Sequence, residues 1–121
     1  MAGALGLELL ETGQELARGR FTVTDSVRQP YGIVHGGAYA ALAETMVSVS
    51  TALAVMPDGM IAMGQSNHTQ FLRPVSEGTV HSEGTRKHRG RSTWVWEVEH
   101  KDDEGRLCAL SHVTIAVRPR P

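Results

Sequence analysis

Several features are scarce in this chain of 121 residues, and each absence excludes a class of protein. A single cysteine, Cys108, cannot form a disulfide within the chain, which fits a reducing compartment and a small buried hydrophobic side chain. The formal net charge is only −1, so no overall field attracts nucleic acid or a membrane surface. No basic segment followed by an apolar one opens the chain, and no continuous apolar run approaches the roughly eighteen residues of a membrane span. We therefore expect a cytoplasmic protein that binds neither nucleic acid nor membranes.

The remaining composition is ordinary, with 40% hydrophobic and 21% charged residues. The length predicts one domain covering residues 1–121, and the sequence has no internal repeat, low-complexity tract or linker.

The residues that follow Gly37 form the longest stretch without proline or glycine, and they predict a helix from residue 36 to about residue 55. A Met-Pro-Asp-Gly sequence at residues 56–59 ends it, as a proline just past a helix does. Apolar residues cover most of the circumference, so the helix is expected to be buried. These residues are Ala41, Leu42, Met46, Val49, Ala52 and Leu53.

Alternating patterns predict strands on both sides of the helix. One strand covers residues 16–24, and four follow the helix at residues 61–72, 79–87, 92–100 and 107–117. Residues 5–10 are compatible with a strand or a short helix, and residues 88–91 are expected to form a connection. One long buried helix followed by an antiparallel meander predicts an α+β fold in which a sheet wraps around the helix.

The start of the predicted helix has a sequence that suits anion binding. His35 is followed by Gly36 and Gly37, and paired glycines let a ligand approach backbone N–H groups that have no partner within the helix. These groups carry partial positive charge, which stabilises an anion or an oxygen that becomes anionic. Each residue alone is as compatible with a tight turn or a loop histidine, and the combination favours an oxyanion site.

A lone carboxylate, Glu44, lies two turns into this helix. A glutamate on an otherwise apolar helix is costly unless it has a function, although a solvent-facing position is the ordinary alternative. Ser48 lies four residues later, on the same stripe of the helix. We therefore hypothesise that Glu44 is a nucleophile or a general base beside the oxyanion site.

The spacing of these two features predicts an oligomer. Gly36 and Glu44 are about 12 Å apart along one helix axis, at roughly 1.5 Å per residue. A glutamate side chain leans toward the helix N-terminus but recovers only part of that gap. Two chains related by a two-fold axis could bring the N–H of Gly36 and the carboxylate of Glu44 to one carbonyl group more easily than one chain could.

Six histidines raise the question of a metal site: His35, His68, His81, His88, His100 and His112. No pair with metal-ligand spacing lies on the helix, and no cysteine pair accompanies them. Three of them fall on separate predicted strands and could converge, but no other feature supports this. The sequence predicts no metal site.

One basic cluster runs from Arg86 to Arg91 and continues into Ser92 and Thr93, with Arg73 on a preceding turn. Arginine, serine and the backbone N–H groups beside a glycine are the usual donors to phosphate. The cluster is too short and too poor in aromatic residues for a nucleic-acid surface. It predicts a site for a phosphorylated small ligand, and a solvated hairpin end is the alternative.

From about Phe21 to Val117 the chain resembles the hotdog-fold acyl-CoA thioesterases. The specific match is Gln29-Pro30-x-Gly32-x-x-His35-Gly36-Gly37 followed by Glu44 and Ser48. It is similar to the bacterial branch with the helix-glutamate hydroxybenzoyl-CoA thioesterase, the menaquinone-pathway dihydroxynaphthoyl-CoA thioesterase and the enterobactin-pathway proofreading thioesterase. A second match, at Trp96 and residues 103–108, resembles the menaquinone-pathway enzymes. Phenylacetate-pathway and human relatives usually have Asp at the position of Glu44 and are the second choice.

This resemblance implies a curved antiparallel sheet around one helix, and two such units that pair into one continuous sheet, as a dimer or a dimer of dimers. It implies that the Gly36 N–H polarises the thioester carbonyl and that Glu44 acts as nucleophile or general base. Gln29 and His35 would lie near the thioester, and Ser48 would position the glutamate or a water.

The resemblance also implies where coenzyme A lies, as part of the substrate and not as a cofactor. The implied contacts are Gly37, Gly64, Phe71, Leu72, Arg73, Pro74, His88, Arg89, Gly90, Arg91, Ser92 and Thr93. The menaquinone-type enzymes have a histidine where this chain has Phe71, and a longer segment before the first strand. Both differences concern the acyl end, so the acyl group is expected only to be aromatic or of medium size.

The function hypothesis is therefore hydrolysis of an acyl-CoA thioester to a free acid and coenzyme A. One alternative is a hotdog hydratase or dehydratase, which would need a catalytic histidine–carboxylate pair of a different spacing. The other is a non-catalytic acyl-CoA binding module, in which Glu44 would have no evident use.

Overall fold

The computed structural model describes residues 6–121, and these fold as one long helix and six strands. The elements are β1 (Glu8–Thr12), β2 (Leu16–Thr22), α1 (Gly36–Val55), β3 (Met60–Phe71), β4 (Thr79–Arg89), β5 (Thr93–Lys101) and β6 (Leu107–Pro119). Short 3₁₀ turns occupy Asp25–Val27 and Met56–Asp58. The predicted α+β arrangement is confirmed. The segment at residues 5–10 contributes to strand β1, with Leu5 outside the described residues.

The strands form one antiparallel sheet in the order β1-β2-β4-β5-β6-β3. Helix α1 packs against all six of them. Six strands spaced about 4.8 Å apart are wider than one helix, so a sheet can reach α1 with every strand only by curving around it. Strand β3 lies at one edge and, within residues 6–121, is hydrogen-bonded only to β6.

The core lies between the inner face of the sheet and one side of α1. Alternate residues of the central strands are buried there, including Trp94 and Trp96 on β5. The indole N–H of Trp96 donates to the hydroxyl of Thr51 at 3.0 Å, which joins β5 to α1. Cys108 is also fully buried, and burial raises the pKa of its thiol to about 11, so it is a packing residue as expected.

Helix α1 is buried on one side only, which corrects the expectation that it is buried all round. Leu42 and Met46 are fully buried, whereas Leu53 is 54% exposed. Ala41, Val49 and Ala52 are only partly buried, because the sheet of a single chain covers one side of the helix. The segment Gly36–Asp58 is long and apolar enough to resemble a membrane span, and in the structure its apolar residues supply much of the core.

One predicted boundary is wrong in an informative way. His88 and Arg89 were expected in a connection, but they continue strand β4, paired with Val95 and Trp94 of β5. A register shift between Arg86 and His88 marks a bulge, which extends the pairing past the point where the alternation of the sequence stops.

Candidate active site

The loop before α1 is held by a short series of backbone hydrogen bonds. The N–H of Gly32 donates to the carbonyl of Gln29 at 2.9 Å, and Gly32 adopts a φ of 87°, which favours glycine. Val34 N–H then donates to the carbonyl of Val75, and His35 N–H donates to the carbonyl of Val27. These bonds fix the entry of the chain into the helix.

His35 is the N-cap of α1. Its Nδ1 accepts a hydrogen bond from the N–H of Gly37 at 2.9 Å, and its carbonyl accepts one from Ala38. A neutral His35 therefore carries its proton on Nε2. The N–H of Gly36 has no hydrogen-bond partner in the described part of the chain, so it is available at the positive end of the helix.

A cavity of about 580 Å³ opens beside this N–H group. It brings together most of the residues predicted near the thioester and along the 71–74 turn: Gln29, His35, Gly36, Gly37, Phe71, Leu72, Arg73 and Pro74. Phe71 is 62% exposed, and its ring lies so close to Gly36 that a Cβ at residue 36 would be 2.6 Å from Cζ. Only glycine fits beneath the ring in its present position.

Tyr39 lines the same cavity, although it was not among the predicted site residues. Its ring packs edge-on against Phe21 and His100, and its hydroxyl is buried without a hydrogen-bond partner in the described residues. Burial, with smaller contributions from Cys108 and Asp102, raises the pKa of the phenol to about 12, so it stays protonated at neutral pH. The position of Tyr39 in the sequence, one helix turn after Gly36, could have indicated that it lies near the site.

Glu44 lines a second cavity, of about 380 Å³, together with Gly37, Ala40, Ala41, Thr45 and Asn67. Gly37 borders both cavities. Glu44 is exposed and, within residues 6–121, makes no hydrogen bond or ion pair from its side chain. In one chain the unpaired N–H of Gly36 and the carboxylate of Glu44 thus belong to different cavities.

Gly64 lies against Glu44. A Cβ at residue 64 would be 2.9 Å from Oε2 of Glu44, so the absence of a side chain makes room for the carboxylate. The register of β3 shifts between Gly64 and Ser66, which marks a β-bulge at this point. Ser48 is partly buried on the same helix stripe but does not line the Glu44 cavity.

The basic cluster lies at the other end of α1. A cavity of about 540 Å³ is lined there by Arg89, Gly90 and Arg91, together with Val55 and Asp58. At about 1.5 Å per residue, the 20 residues of α1 separate it from Gly36 by about 30 Å. A single chain therefore holds the two predicted parts of the site far apart.

The members of the basic cluster differ in the contacts that they make with the rest of the fold. The guanidinium groups of Arg86 and Arg89 lie over the ring of Trp94, at 4.8 and 5.3 Å from its centroid. Gly90 N–H donates to the carbonyl of Thr93, and the carbonyl of Ser92 accepts from Arg118. His88, Ser92 and Thr93 do not line the cavity, although all three were predicted contacts.

In the described part of the chain, no three histidine, cysteine or carboxylate side chains are grouped to hold a metal ion. His68 and His112 are cross-strand partners on β3 and β6, whereas His100 is fully buried on β5.

Comparisons with known proteins give one consistent result. Residues 31–109 match the family model described as "Thioesterase superfamily". The chain is 36% identical over 113 residues to the proofreading thioesterase EntH of Cronobacter turicensis, a match that covers 93% of this chain and 82% of that protein.

Solved structures agree in fold. A thioesterase of Haemophilus influenzae is similar with a TM-score of 0.90 and 31% identity, over 98% of this chain and 82% of that one. A variant of a thioesterase from Pseudomonas aeruginosa is similar with a TM-score of 0.92 and 28% identity, over 98% and 85% of the two chains.

Proposed function

We propose that this chain, which belongs to the thioesterase superfamily and is a hotdog-fold thioester hydrolase, cleaves acyl-CoA thioesters to a free acid and coenzyme A. The observation that carries this proposal is the unpaired N–H of Gly36 at the start of a 20-residue helix, open to a cavity. A helix N-terminus stabilises negative charge, and the carbonyl oxygen of a thioester becomes negative when it is attacked. One such donor contributes about 3 kcal/mol to the stabilisation of the transition state in comparable sites.

Glu44 attacks the thioester or activates the attacking water in this proposal. Its carboxylate is exposed, engaged by no other side chain of residues 6–121, and accommodated by the missing side chain of Gly64. There are two routes. Glu44 attacks the carbonyl, the C–S bond breaks to release the thiolate of coenzyme A, and water hydrolyses the resulting mixed anhydride; or Glu44 takes a proton from a water that attacks the carbonyl itself and expels the thiolate. Gln29 and His35 border the Gly36 cavity, where they would contact the thioester group. Ser48, on the same stripe, would position the glutamate or the water.

The proposed site is shared between two copies of the chain. Three observations support this: the separate cavities of Gly36 and Glu44, the free edge of β3, and the apolar exposure of Leu53 and Met63. A two-fold axis beside β3 would join two sheets edge to edge and cover the open side of each helix. The proposed assembly is a homodimer or a dimer of such dimers.

Coenzyme A enters as part of the substrate, with no separate cofactor. The Gly36 cavity is partly lined by Phe71 and Leu72, which suits an aromatic or medium-sized acyl group and the pantetheine arm. Arg91 and Arg89 at the far cavity would bind the phosphates of the nucleotide end, supplied across the dimer. The resemblance to the hydroxybenzoyl-CoA and menaquinone-pathway branch belongs to this proposal, as does a cytoplasmic location.

Release of free thiol from a panel of thioesters tests the proposal. The panel contains aromatic, medium-chain and long-chain acyl-CoAs, an enoyl-CoA, and the same acyl groups on an acyl-carrier protein. We expect turnover on at least one acyl-CoA, and turnover at least about a hundredfold lower with Glu44→Gln at the same protein concentration. Turnover only on carrier-bound acyl groups would refute the acyl-CoA assignment. Consumption of an enoyl-CoA without thiol release would identify a hydratase, and tight binding without any reaction a binding module.

A further inference from the structure

Three buried polar side chains lie next to one another on the inner face of the sheet. His100 of β5 is fully buried, and its Nδ1 is 2.7 Å from the hydroxyl of Ser82 on β4. Its Nε2 is 2.9 Å from the hydroxyl of Ser111 on β6, which is also fully buried. His100 is the largest of the fully buried polar side chains, and both of its ring nitrogens have a hydrogen-bond partner.

The hydrogen bonds continue from Ser111 to the active-site helix. Ser111 contacts the hydroxyl of Thr69 on β3 at 2.8 Å, and Thr69 donates to Oδ1 of Asn67 at 2.8 Å. The amide nitrogen of Asn67 then donates to the carbonyl of Ala40 in α1 at 2.9 Å. We call the series His100, Ser111, Thr69, Asn67 and the Ala40 carbonyl the relay.

The direction of every hydrogen bond in the relay follows from its last member. A backbone carbonyl can only accept, so the amide of Asn67 donates to it and presents Oδ1 to Thr69. Thr69 has one hydroxyl proton, which it gives to Asn67, so it must accept from Ser111. Ser111 in turn must accept from His100. The imidazole is therefore protonated at Nε2, and when neutral it accepts at Nδ1 from Ser82.

The relay ends at the helix turn that carries Glu44. In an α-helix the carbonyl of residue 40 also accepts the N–H of residue 44. Asn67 lines the same cavity as Glu44, and the bulge of β3 beside it places Gly64 against the carboxylate. The relay thus connects the centre of the sheet, through the edge strand β3, to the carbonyl of Ala40. This carbonyl accepts the backbone N–H of Glu44, and β3 also flanks the Glu44 carboxylate.

We propose that His100 is a positioning residue that acts through the relay to fix the helix turn of Glu44 against β3. This inference rests on the catalytic role of Glu44 proposed above. His100 itself touches no reacting atom and transfers no proton. A series of hydrogen bonds that all point one way has a single low-energy arrangement, which holds its two ends at one distance. Here the series is fully buried at His100 and Ser111 and partly buried at Thr69 and Asn67.

The test breaks the relay without enlarging or emptying the core. Thr69→Val keeps the shape of the side chain and removes the hydroxyl between Ser111 and Asn67. Ser82→Ala is the matched control, because it removes a buried hydroxyl that is bonded to Nδ1 of His100 and lies outside the relay. We expect Thr69→Val to lower kcat about tenfold with KM within about twofold of wild type, and Ser82→Ala to leave both within about twofold.

Two further measurements separate positioning from a merely structural role. His100→Gln keeps a donor where Nε2 was, and should retain kcat better than His100→Leu, which has none. In the wild type, ¹⁵N chemical shifts of His100 should report the neutral Nε2–H tautomer from pH 5 to pH 8. If His100→Leu does not fold, Thr69→Val and the ¹⁵N measurement still decide the matter.

Several outcomes would overturn the inference. They are an unchanged kcat in Thr69→Val, an equal loss in Ser82→Ala, no advantage of Gln over Leu, and an Nδ1–H tautomer. Glu44→Gln, measured alongside, keeps the two proposals distinct. If Glu44→Gln is fully active, the proposed role of Glu44 fails. If Glu44→Gln is inactive while Thr69→Val is fully active, only the relay fails.

Discussion

Both sides of α1 carry apolar residues, but the sheet covers only one of them. On the covered side, Leu42, Met46 and Val47 are fully buried against the sheet. On the open side, Glu44 and Leu53 are exposed, and Ser48 is only partly buried. The edge strand β3 borders the open side, through the contacts of Gly64 with Glu44 and of Asn67 with Ala40.

The covered side of α1 therefore stabilises the fold, and the open side carries the residue proposed for the chemistry. Burial of a large apolar side chain contributes roughly 1.5–3 kcal/mol to folding, so the covered side holds the fold together. Glu44 on the open side has no structural partner in residues 6–121, so its removal should cost little stability. The apolar residues of the open side are left for another copy of the chain in the proposed assembly.

The largest expected effect comes from comparing one substitution on each side. Glu44→Gln should lower kcat at least about a hundredfold and leave the melting temperature nearly unchanged, because it removes a positioned base or nucleophile from an exposed site. Met46→Ala should do the reverse. It should lower the free energy of unfolding by about 2–5 kcal/mol, with kcat per folded molecule close to wild type. Steady-state kinetics and thermal unfolding of both variants check this, and a folded, fully active Glu44→Gln protein would end the catalytic assignment.

A mixture of two inactive variants tests whether each active site is shared between two chains. Glu44→Ala lacks the carboxylate, and Gly36→Pro lacks the N–H while remaining compatible with the first position of a helix. In a shared site, a mixed dimer has one intact site and about half of wild-type activity, or about a quarter for an equal mixture with random exchange. If both residues of each site come from one chain, activity stays near zero.

The contact between Phe71 and Gly36 dictates the control for this mixture. Any side chain at residue 36 must displace the Phe71 ring, so Gly36→Ala is measured in parallel, since it adds a Cβ and keeps the N–H. Only the difference in activity between Gly36→Pro and Gly36→Ala measures the effect of losing the N–H donor at residue 36. Native mass spectrometry must show that subunits have exchanged, and no recovery after exchange would reject the shared site.

The elements that the sequence predicted well are those set by local rules. The bounds of α1 follow from Gly36 at its start and from the Met-Pro-Asp-Gly sequence after Val55, and the structure ends the helix there. The residues around the Gly36 cavity were predictable as a group, because Gln29 to Gly37 are close in sequence and one loop positions them. The 71–74 turn was assigned to the thioester end of the site only by resemblance. Its Arg73 had been grouped with the basic cluster, but it lines the Gly36 cavity and not the cavity of Arg89 and Arg91.

The features that the sequence did not predict depend on contacts between distant elements. The burial of one side of α1 follows from the extent of the sheet, which no helical pattern encodes. Asn67 meets Ala40 across 27 residues, and Gly64 meets Glu44 through a bulge in β3. Alternation predicts which face His100 occupies, but not that Ser82 and Ser111 would lie on either side of it.

The pH dependence of stability tests the burial of His100 between the sheet and α1. Burial lowers the pKa of His100 to about 3, below the ordinary value of 6.5. Between these values the unfolded chain binds a proton that the folded chain does not, so stability is full above pH 6.5 and falls as the pH falls toward 3. His100 alone should make the wild type about 2 kcal/mol less stable at pH 5 than at pH 7. His100→Gln should lack this component, and equal changes in urea unfolding of the two proteins would contradict it.

The smallest expected effect concerns the C-terminal end of α1, about 30 Å from Gly36, where Arg89 and Arg91 line a cavity. Arg91 lines the cavity there, whereas Arg89 also covers the ring of Trp94, so Arg89→Ala would disturb packing as well as charge. Arg91→Ala is therefore the cleaner variant. Arg20→Ala is its control, since Arg20 is an exposed β2 arginine that pairs with Glu8 and does not line this cavity.

If Arg91 binds a phosphate of coenzyme A, Arg91→Ala should raise KM for acyl-CoA about fivefold and leave kcat nearly unchanged, because the lost contact is remote from the bond that breaks. The effect should shrink as salt is added, since an exposed charge is screened. A truncated pantetheine thioester has no nucleotide phosphates and should be hydrolysed equally by wild type and variant. Equal losses on both substrates would instead give Arg91 a structural role. A matching rise in KM with Arg20→Ala would show that the effect comes from the overall charge.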